Sequence, residues 1–141
     1  MVKNLRIYGS TVISKLTIHK LIRLLMREFG FSISNLEISF VNSNEIILIN
    51  KKYLHHKGST DIITFDYTLS DTALEGEIII SGYETIHNAK RFKTSIKEEA
   101  LRLLIHGILH LLGYDDIKKD DRKIMKAKED ELVKKYNILI K

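Results

Sequence analysis

The stretch from Ser95 to Asp116, SIKEEALRLLIHGILHLLGYDD, decides how this chain is expected to fold. Ser95 can accept a hydrogen bond from the backbone N–H of Glu98, and Glu98 can reach back to Ser95, which is the pattern of a capping box. The residues that follow are apolar on nearly every face, as is typical of a buried helix. Gly113 can adopt the left-handed conformation that ends a helix. The sequence therefore predicts a buried central helix over residues 95–112.

Two histidines interrupt this apolar helix. His106 and His110 are four residues apart, so their side chains lie on one face of the helix. Asp116 follows three residues after Gly113, and the turn can bring it back towards the same point. Two imidazoles and a carboxylate suit a divalent ion, zinc first, and leave a coordination position open for water or substrate. The alternative interpretation is a pair of core histidines with satisfied hydrogen bonds.

The residue after the first histidine decides whether the site could belong to a zinc peptidase. In zinc peptidases with the pattern His-Glu-x-x-His, this residue is the glutamate that acts as general base. Here it is Gly107, which has no side chain. A zinc peptidase is therefore a less favoured alternative.

The segment HGILHLLGYD resembles the signature of the YbeY-type rRNA maturation factors, His-Gly-x-Leu-His-Leu-x-Gly-Tyr-Asp-His. The resemblance implies that His106 and His110 are metal ligands. The third ligand of that family is commonly histidine, and this chain has Asp116 in its place. Because aspartate is an acceptable zinc ligand, we expect one zinc ion per chain on these three residues.

A second segment, STDIITF at residues 59–65, is similar to the family pattern Pro-Thr-Asp-Val-Leu-Ser-Phe. It places Asp61 at the start of a predicted strand. A carboxylate there could orient a metal-bound water, hold a ligand histidine, or only cap the turn. The resemblance makes Asp61 a candidate catalytic residue.

A third segment departs from the family in one position. Asn50 and Tyr53 match the family pattern Leu-Asn-x-x-Tyr-Arg, but Leu54 stands where the family has a functional arginine. His55 or His56 could supply a weaker, pH-dependent cation there. The simpler interpretation, which we favour, is that the two histidines lie in an exposed loop.

The resemblance implies a small α/β sandwich, in which a mixed sheet of about four strands packs around the buried helix that carries the metal site. Residue periodicity independently predicts helices alternating with strands at Leu5–Tyr8, Leu36–Val41, Ile62–Phe65 and Glu75–Ser81. The last two strands are too close in sequence for a helical crossover, so they should form a hairpin. We expect a break at Ser10 and a single domain over residues 1–141.

The end of the chain predicts one more helix, running to about Tyr136. Asp120 or Asp121 should cap it, and Ile124 should belong to its apolar stripe. Its lysines should form a solvated face with acidic partners at i,i+4, and contact with RNA phosphates is the less favoured alternative. The final residues NILIK are expected to add an edge strand or to stay loose.

Composition limits the class of protein. The 141 residues include no cysteine, which excludes disulfides, thiolate ligands and a cysteine nucleophile. The start of the chain lacks an apolar signal-peptide core, and no run approaches the roughly 20 apolar residues of a membrane span. We therefore expect a cytoplasmic protein with no membrane partner. The net charge of +5 fits a polyanionic partner such as RNA, although many basic proteins bind no nucleic acid.

The resemblance implies a zinc-dependent, single-strand-specific endoribonuclease that acts on precursor rRNA at the small ribosomal subunit, in 16S rRNA 3′-end processing and ribosome quality control. Because Gly107 offers no base, proton transfer must come from Asp61, Asp115 or the substrate, while Tyr114 could donate a hydrogen bond to the phosphate. The alternative is a non-catalytic ribosome-assembly factor in which the metal only stabilises the fold.

Overall fold

The computed structural model describes residues 1–9, 12–56 and 58–141. The predicted break at Ser10 lies outside the described residues. Within them, the elements are β1 (Leu5–Tyr8), α1 (Lys15–Phe29), β2 (Ser32–Val41), α2 (Ser43–Leu54), β3 (Ile62–Asp66), β4 (Ala73–Ser81), α3 (Gly82–Arg91), α4 (Ile96–Leu111), α5 (Lys119–Tyr136) and a short 3-10 helix (Asn137–Ile140). Strands and helices alternate as far as α2, and the hairpin of β3 and β4 is followed by three consecutive helices and the 3-10 helix. The predicted α/β class is confirmed.

The four strands form one mixed sheet in the order β1-β2-β4-β3. β1 and β4 run parallel to β2, and β3 runs antiparallel to β4, with Ile63 opposite Ile79. The predicted hairpin is therefore present. β2 begins four residues earlier than its alternation predicts, because the pairing register shifts between Ile33 and Asn35 and breaks the period of two.

α4 lies against this sheet as the buried central helix. Its fully buried side chains include Leu101, Leu104, Ile105 and Ile108, which belong to the main core cluster together with residues of the sheet and α1. At its start, Ser95 Oγ accepts a hydrogen bond from the Glu98 backbone N–H at 3.0 Å. The other half of the predicted capping box differs, since the Glu98 carboxylate instead accepts hydrogen bonds from the side chains of Thr94 and Asn137.

The structure corrects three expectations for the end of the chain. Asp120 and Asp121 lie in the first turn of α5, and the residue at the cap position is Lys118, which makes no side-chain capping bond. Ile124 is 60% exposed and lies outside the apolar stripe. The residues NILI form a 3-10 helix, where Asn137 hydrogen-bonds Glu98 of α4. Within the described part of the chain, no helix is both long enough and apolar enough to cross a membrane.

Candidate metal centre

The three ligands predicted from the sequence lie together at the C-terminal end of α4. The Nε2 atoms of His106 and His110 lie 3.7 and 3.6 Å from the two carboxylate oxygens of Asp116. One ligand atom from each residue can be chosen so that all three lie within 4.8 Å of one another. Ligand atoms on a tetrahedral zinc ion are about 3.3 Å apart, from metal–ligand distances near 2.0 Å. Small side-chain adjustments are enough to bring this set onto one ion.

The turn after α4 explains how Asp116 reaches the histidines. The backbone N–H of Gly113 bonds the carbonyl of His110, and the N–H of Tyr114 bonds the carbonyl of Leu109. Gly113 has φ +102°, a conformation that L side chains rarely adopt. The glycine therefore reverses the chain sharply enough for Asp116, three residues on, to face the last two turns of the helix.

Acidic groups surround the ring of His106. Its Nδ1 lies 3.5 Å from Oε2 of Glu129, a buried residue of α5. Burial alone lowers the pKa of His106, but the hydrogen bond and charge of Glu129, followed by the charges of Asp116 and Asp61, outweigh it and raise the pKa above its ordinary value. The surroundings therefore favour positive charge at this point, which is the electrostatic condition for holding a cation.

A cavity of about 870 Å³ opens over these ligands. Its walls come from the end of α2, the loop that follows, the start of β3, and the end of α4 with Asp116. The described lining residues are Asn50, Leu54, His55, His56, Ser59, Thr60, Asp61, Ile62, Ile63, Thr64, His106, His110 and Asp116. His55 and His56 are exposed, as expected of a loop, and they also line the cavity.

Asp61 shares this cavity with the three ligands. Its Oδ2 accepts a hydrogen bond from the side-chain amide of Asn88 on α3 at 3.0 Å. Its backbone carbonyl accepts a second bond from the N–H of Ser81. Asn88 of α3 thus holds the carboxylate of Asp61, which is half-buried on the cavity wall.

Tyr114 and Asp115 lie elsewhere. Both line a separate depression of about 280 Å³, on the side of the turn that faces Asp121 and Ile124. Tyr114 packs against the main core, and Asp115 Oδ1 accepts a hydrogen bond from the N–H of Ile117 at 2.9 Å. The structure does not bring these two residues into the cavity with His106, His110 and Asp116.

Gly107 faces the sheet. A Cβ atom built on it would lie 2.8 Å from Cδ1 of Ile78 in β4. A glutamate at this position would point into the core, away from the cavity. Packing of α4 on β4 therefore excludes the base that a peptidase of the His-Glu-x-x-His type needs.

Sequence reasoning missed three charged residues beside the site. Glu99 and Arg102 lie on the same face of α4 as His106, and this helical spacing was the signal that could have found them. Glu129 occupies a core position of α5 between the buried residues Met125 and Leu132. An acid inside an apolar stripe is unusual enough to be a signal in its own right.

Comparisons with known proteins find relatives over most of the chain. A family model described as "Endoribonuclease YbeY" matches residues 8–137. A protein of that name from Flavobacterium psychrophilum is 41% identical over 99 residues, which cover 70% of each chain. Another, from Chlorobium phaeobacteroides, is 33% identical over 138 residues, which cover 96% of each chain. The solution structure of a Thermotoga maritima protein superposes with a TM-score of 0.68 at 27% identity, covering 94% of this chain and 88% of that one.

Proposed function

The chain belongs to the endoribonuclease YbeY family, and on this premise we propose that it is a metal-dependent endoribonuclease that cleaves single-stranded regions of precursor rRNA. The observation that carries the proposal is the convergence of His106, His110 and Asp116 in one cavity. The side chains of His110 and Asp116 are 39% and 41% exposed, so a substrate phosphate can reach them. Processing of the 16S rRNA 3′ end and ribosome quality control are the proposed roles.

Zinc is the proposed ion, held by His106, His110 and Asp116. When bound, it would supply a water of lowered pKa and would polarise a phosphoryl oxygen. Of the three catalytic residues predicted from the sequence, Asp61 lines the cavity, and its carboxylate is held by Asn88. We therefore assign proton transfer to Asp61 and give Tyr114 and Asp115 no direct contact with the substrate.

Exposed cations at the start of α5 support an RNA substrate. Lys119, Arg122 and Lys123 are exposed, and no carboxylate of the described residues lies within ion-pair distance of them. Positive side chains in the first turns of a helix oppose its dipole, so helix stability does not account for them. α5 begins three residues after Asp116, which lets an RNA backbone leaving the cavity reach these cations. The predicted i,i+4 acidic partner is present only further along, between Lys126 and Asp130 at 3.0 Å.

The proposed substrate also sets the cellular context. Precursor 16S rRNA is part of the assembling small ribosomal subunit, so we place the protein on that subunit in the cytoplasm. Family membership supports this assignment.

A cleavage assay tests the proposal. The parent protein should cleave a single-stranded RNA internally and leave the same sequence intact in a duplex. A chelator should abolish cleavage and added zinc should restore it, while casein should stay uncut. His110→Ala should lose cleavage with its circular dichroism spectrum unchanged. The matched control is His87→Ala, since His87 is an exposed histidine on α3 that lies outside the cavity.

Two outcomes would contradict the proposal. Cleavage that survives both chelation and His110→Ala would mean that the cluster is not the catalytic centre. Absence of any cleavage, together with unfolding on chelation, would favour the metal-stabilised assembly factor.

A further inference from the structure

A polar stripe runs along α4 from the candidate ligands into the protein interior. Glu99, Arg102, His106 and His110 follow one another at intervals of three, four and four residues, which places them on one face of the helix. Glu99 is 2% exposed, and the Arg102 side chain is 23% exposed. Buried charges are costly unless partners compensate them. The stripe therefore needs an explanation that core packing does not give.

The first set of partners leads from the interior to His106. The carboxylate of Glu129, which enters from α5, lies between two groups of α4. Its Oε2 is 3.5 Å from Nδ1 of His106, and its Oε1 is 3.6 Å from Nη1 of Arg102. The same Arg102 nitrogen lies 2.7 Å from Oδ1 of Asp130, one residue further along α5. Arg102 thus holds Glu129 from the side opposite the imidazole.

The second set of partners leads to Asp61. Arg102 Nε lies 4.0 Å from Oε1 of Glu99, an oxygen with no hydrogen-bond partner in the described residues. The other oxygen of Glu99 accepts from the Asn88 amide at 3.4 Å, and the same amide nitrogen donates to Asp61 at 3.0 Å. Both branches thus meet at Arg102 and end on residues of the cavity wall.

We propose that Glu129, held by Arg102, is a positioning residue for His106. The inference rests on the proposed metal site. An imidazole can bind a metal through either nitrogen, and the hydrogen bond made by one nitrogen decides which one is free. Glu129 keeps the proton on Nδ1 and leaves the Nε2 lone pair facing Asp116 and His110. A carboxylate behind a ligand histidine also raises the basicity of the ring and thereby its affinity for the ion.

The position of the acid supports this role over a purely structural one. A salt bridge that only joined α4 to α5 would need Arg102 and Asp130, which already meet at 2.7 Å with Asp130 half exposed. Glu129 is 7% exposed, and Arg102, 3.6 Å from one carboxylate oxygen, offsets part of the cost of burying its charge. Its remaining partner is His106. The buried Glu129 carboxylate therefore acts on the imidazole of His106 and, through it, on the ion that the imidazole binds.

Three variants of the full chain separate the roles of charge and hydrogen bond. Glu129→Leu removes the acceptor, and Glu129→Gln keeps an acceptor oxygen without the charge. Glu131→Gln is the matched control, since Glu131 is an exposed acid on the same helix with Lys128 as its partner. Zinc affinity is measured by competition with a chelating dye. The tautomer of His106 is read in metal-free protein by long-range ¹H–¹⁵N NMR at about pH 9, above the ordinary histidine pKa.

Glu129→Leu should weaken zinc binding by about 10–100-fold, the usual effect of losing such a partner. It should also move His106 from the Nδ1–H towards the Nε2–H tautomer. Glu129→Gln should keep the Nδ1–H tautomer and weaken binding by about 3–10-fold, because an amide oxygen is a weaker acceptor than a carboxylate. Glu131→Gln should match the parent in both measurements.

A folded Glu129→Leu protein with the zinc affinity and tautomer of the parent would overturn the inference. If Glu129→Leu does not fold, the near-isosteric Glu129→Gln decides, and an unchanged affinity there is the contrary result. A parent protein that binds no zinc would overturn the metal site itself. The metal-free tautomer would then still show whether Glu129 holds His106, so the two failures are distinguishable.

Discussion

Gly107→Ala tests how closely α4 must approach the sheet for the site to form. The added Cβ would lie 2.8 Å from Cδ1 of Ile78 and 3.1 and 3.2 Å from its Cγ2 and Cγ1 atoms. Ile78 is fully buried, and its β-branched side chain has few alternative rotamers. The alanine must therefore push α4, and with it His106 and His110, away from β4.

Two opposing effects set the size of the change. Alanine is favoured over glycine inside a helix by about 1 kcal/mol. Overpacking a filled core costs about 1–3 kcal/mol, and three contacts this short in a fully buried place put the cost near 3 kcal/mol. The net expectation is a loss of about 2 kcal/mol in unfolding free energy, which lowers the Tm by roughly 4–8 °C at this chain length.

Thermal unfolding followed by circular dichroism measures this loss. Gly82→Ala in α3 is the control, because the nearest atom to its added Cβ is a Val41 carbonyl oxygen at 4.0 Å. It should be neutral or stabilising by up to about 1 kcal/mol. In a double-mutant cycle, Ile78→Val removes the closest atom and should recover about 1 kcal/mol of the Gly107→Ala loss. A Gly107→Ala protein as stable as the parent would refute the close-packing argument.

Three further predictions concern charge. Asp116→His should lower the apparent pKa of the acid limb of the pH–rate profile, because a neutral ligand donates less charge to the ion; an identical profile contradicts this. The double variant Lys119→Glu, Lys123→Glu should bind single-stranded RNA with a weaker dependence on salt: the slope of log K for binding against log salt concentration should fall by about 0.7 per lost phosphate contact. Lys134→Glu, at the other end of α5, should leave this slope unchanged. Hydrogen bonds from Lys135 and Tyr136 lower the pKa of Glu28 below its ordinary value of 4.5. The Glu28 carboxylate therefore stabilises the folded state fully above pH 4.5, and this stabilisation is lost as the pH falls through the lowered pKa. Glu28→Gln should therefore lower the Tm at pH 7 and weaken its fall in acid, and a Tm curve parallel to that of the parent argues against this contribution.

The local features of the site could be predicted from sequence because they depend on neighbours along the chain. The spacing of His106 and His110 fixes their common face, and Gly113 fixes the turn that returns Asp116 to them. The hairpin of β3 and β4 followed from the short connection between the two strands. In each case the interacting residues are separated by few positions, so periodicity and turn chemistry are sufficient.

Features that depend on distant residues could not be predicted in this way. Glu129 meets His106 across 23 positions of sequence, and Asn88 meets Asp61 across 27. Lys118 occupies the cap position of α5 although an aspartate two residues later is the better capping residue. The early start of β2 depends on pairing with β4 through an irregular register. Tertiary contacts decide all of these, and one sequence does not reveal them.

Metal content tests the central claim most directly. Elemental analysis is made on untagged parent protein purified without chelator, beside Asp116→Ala and Asp115→Ala. Asp115 is the matched control, since it is the adjacent aspartate and its carboxylate bonds the Ile117 N–H outside the cavity. The account predicts about one zinc per chain in the parent and in Asp115→Ala, and much less in Asp116→Ala. No metal in the parent, or equal metal in all three proteins, would contradict the assignment of His106, His110 and Asp116 as the metal centre.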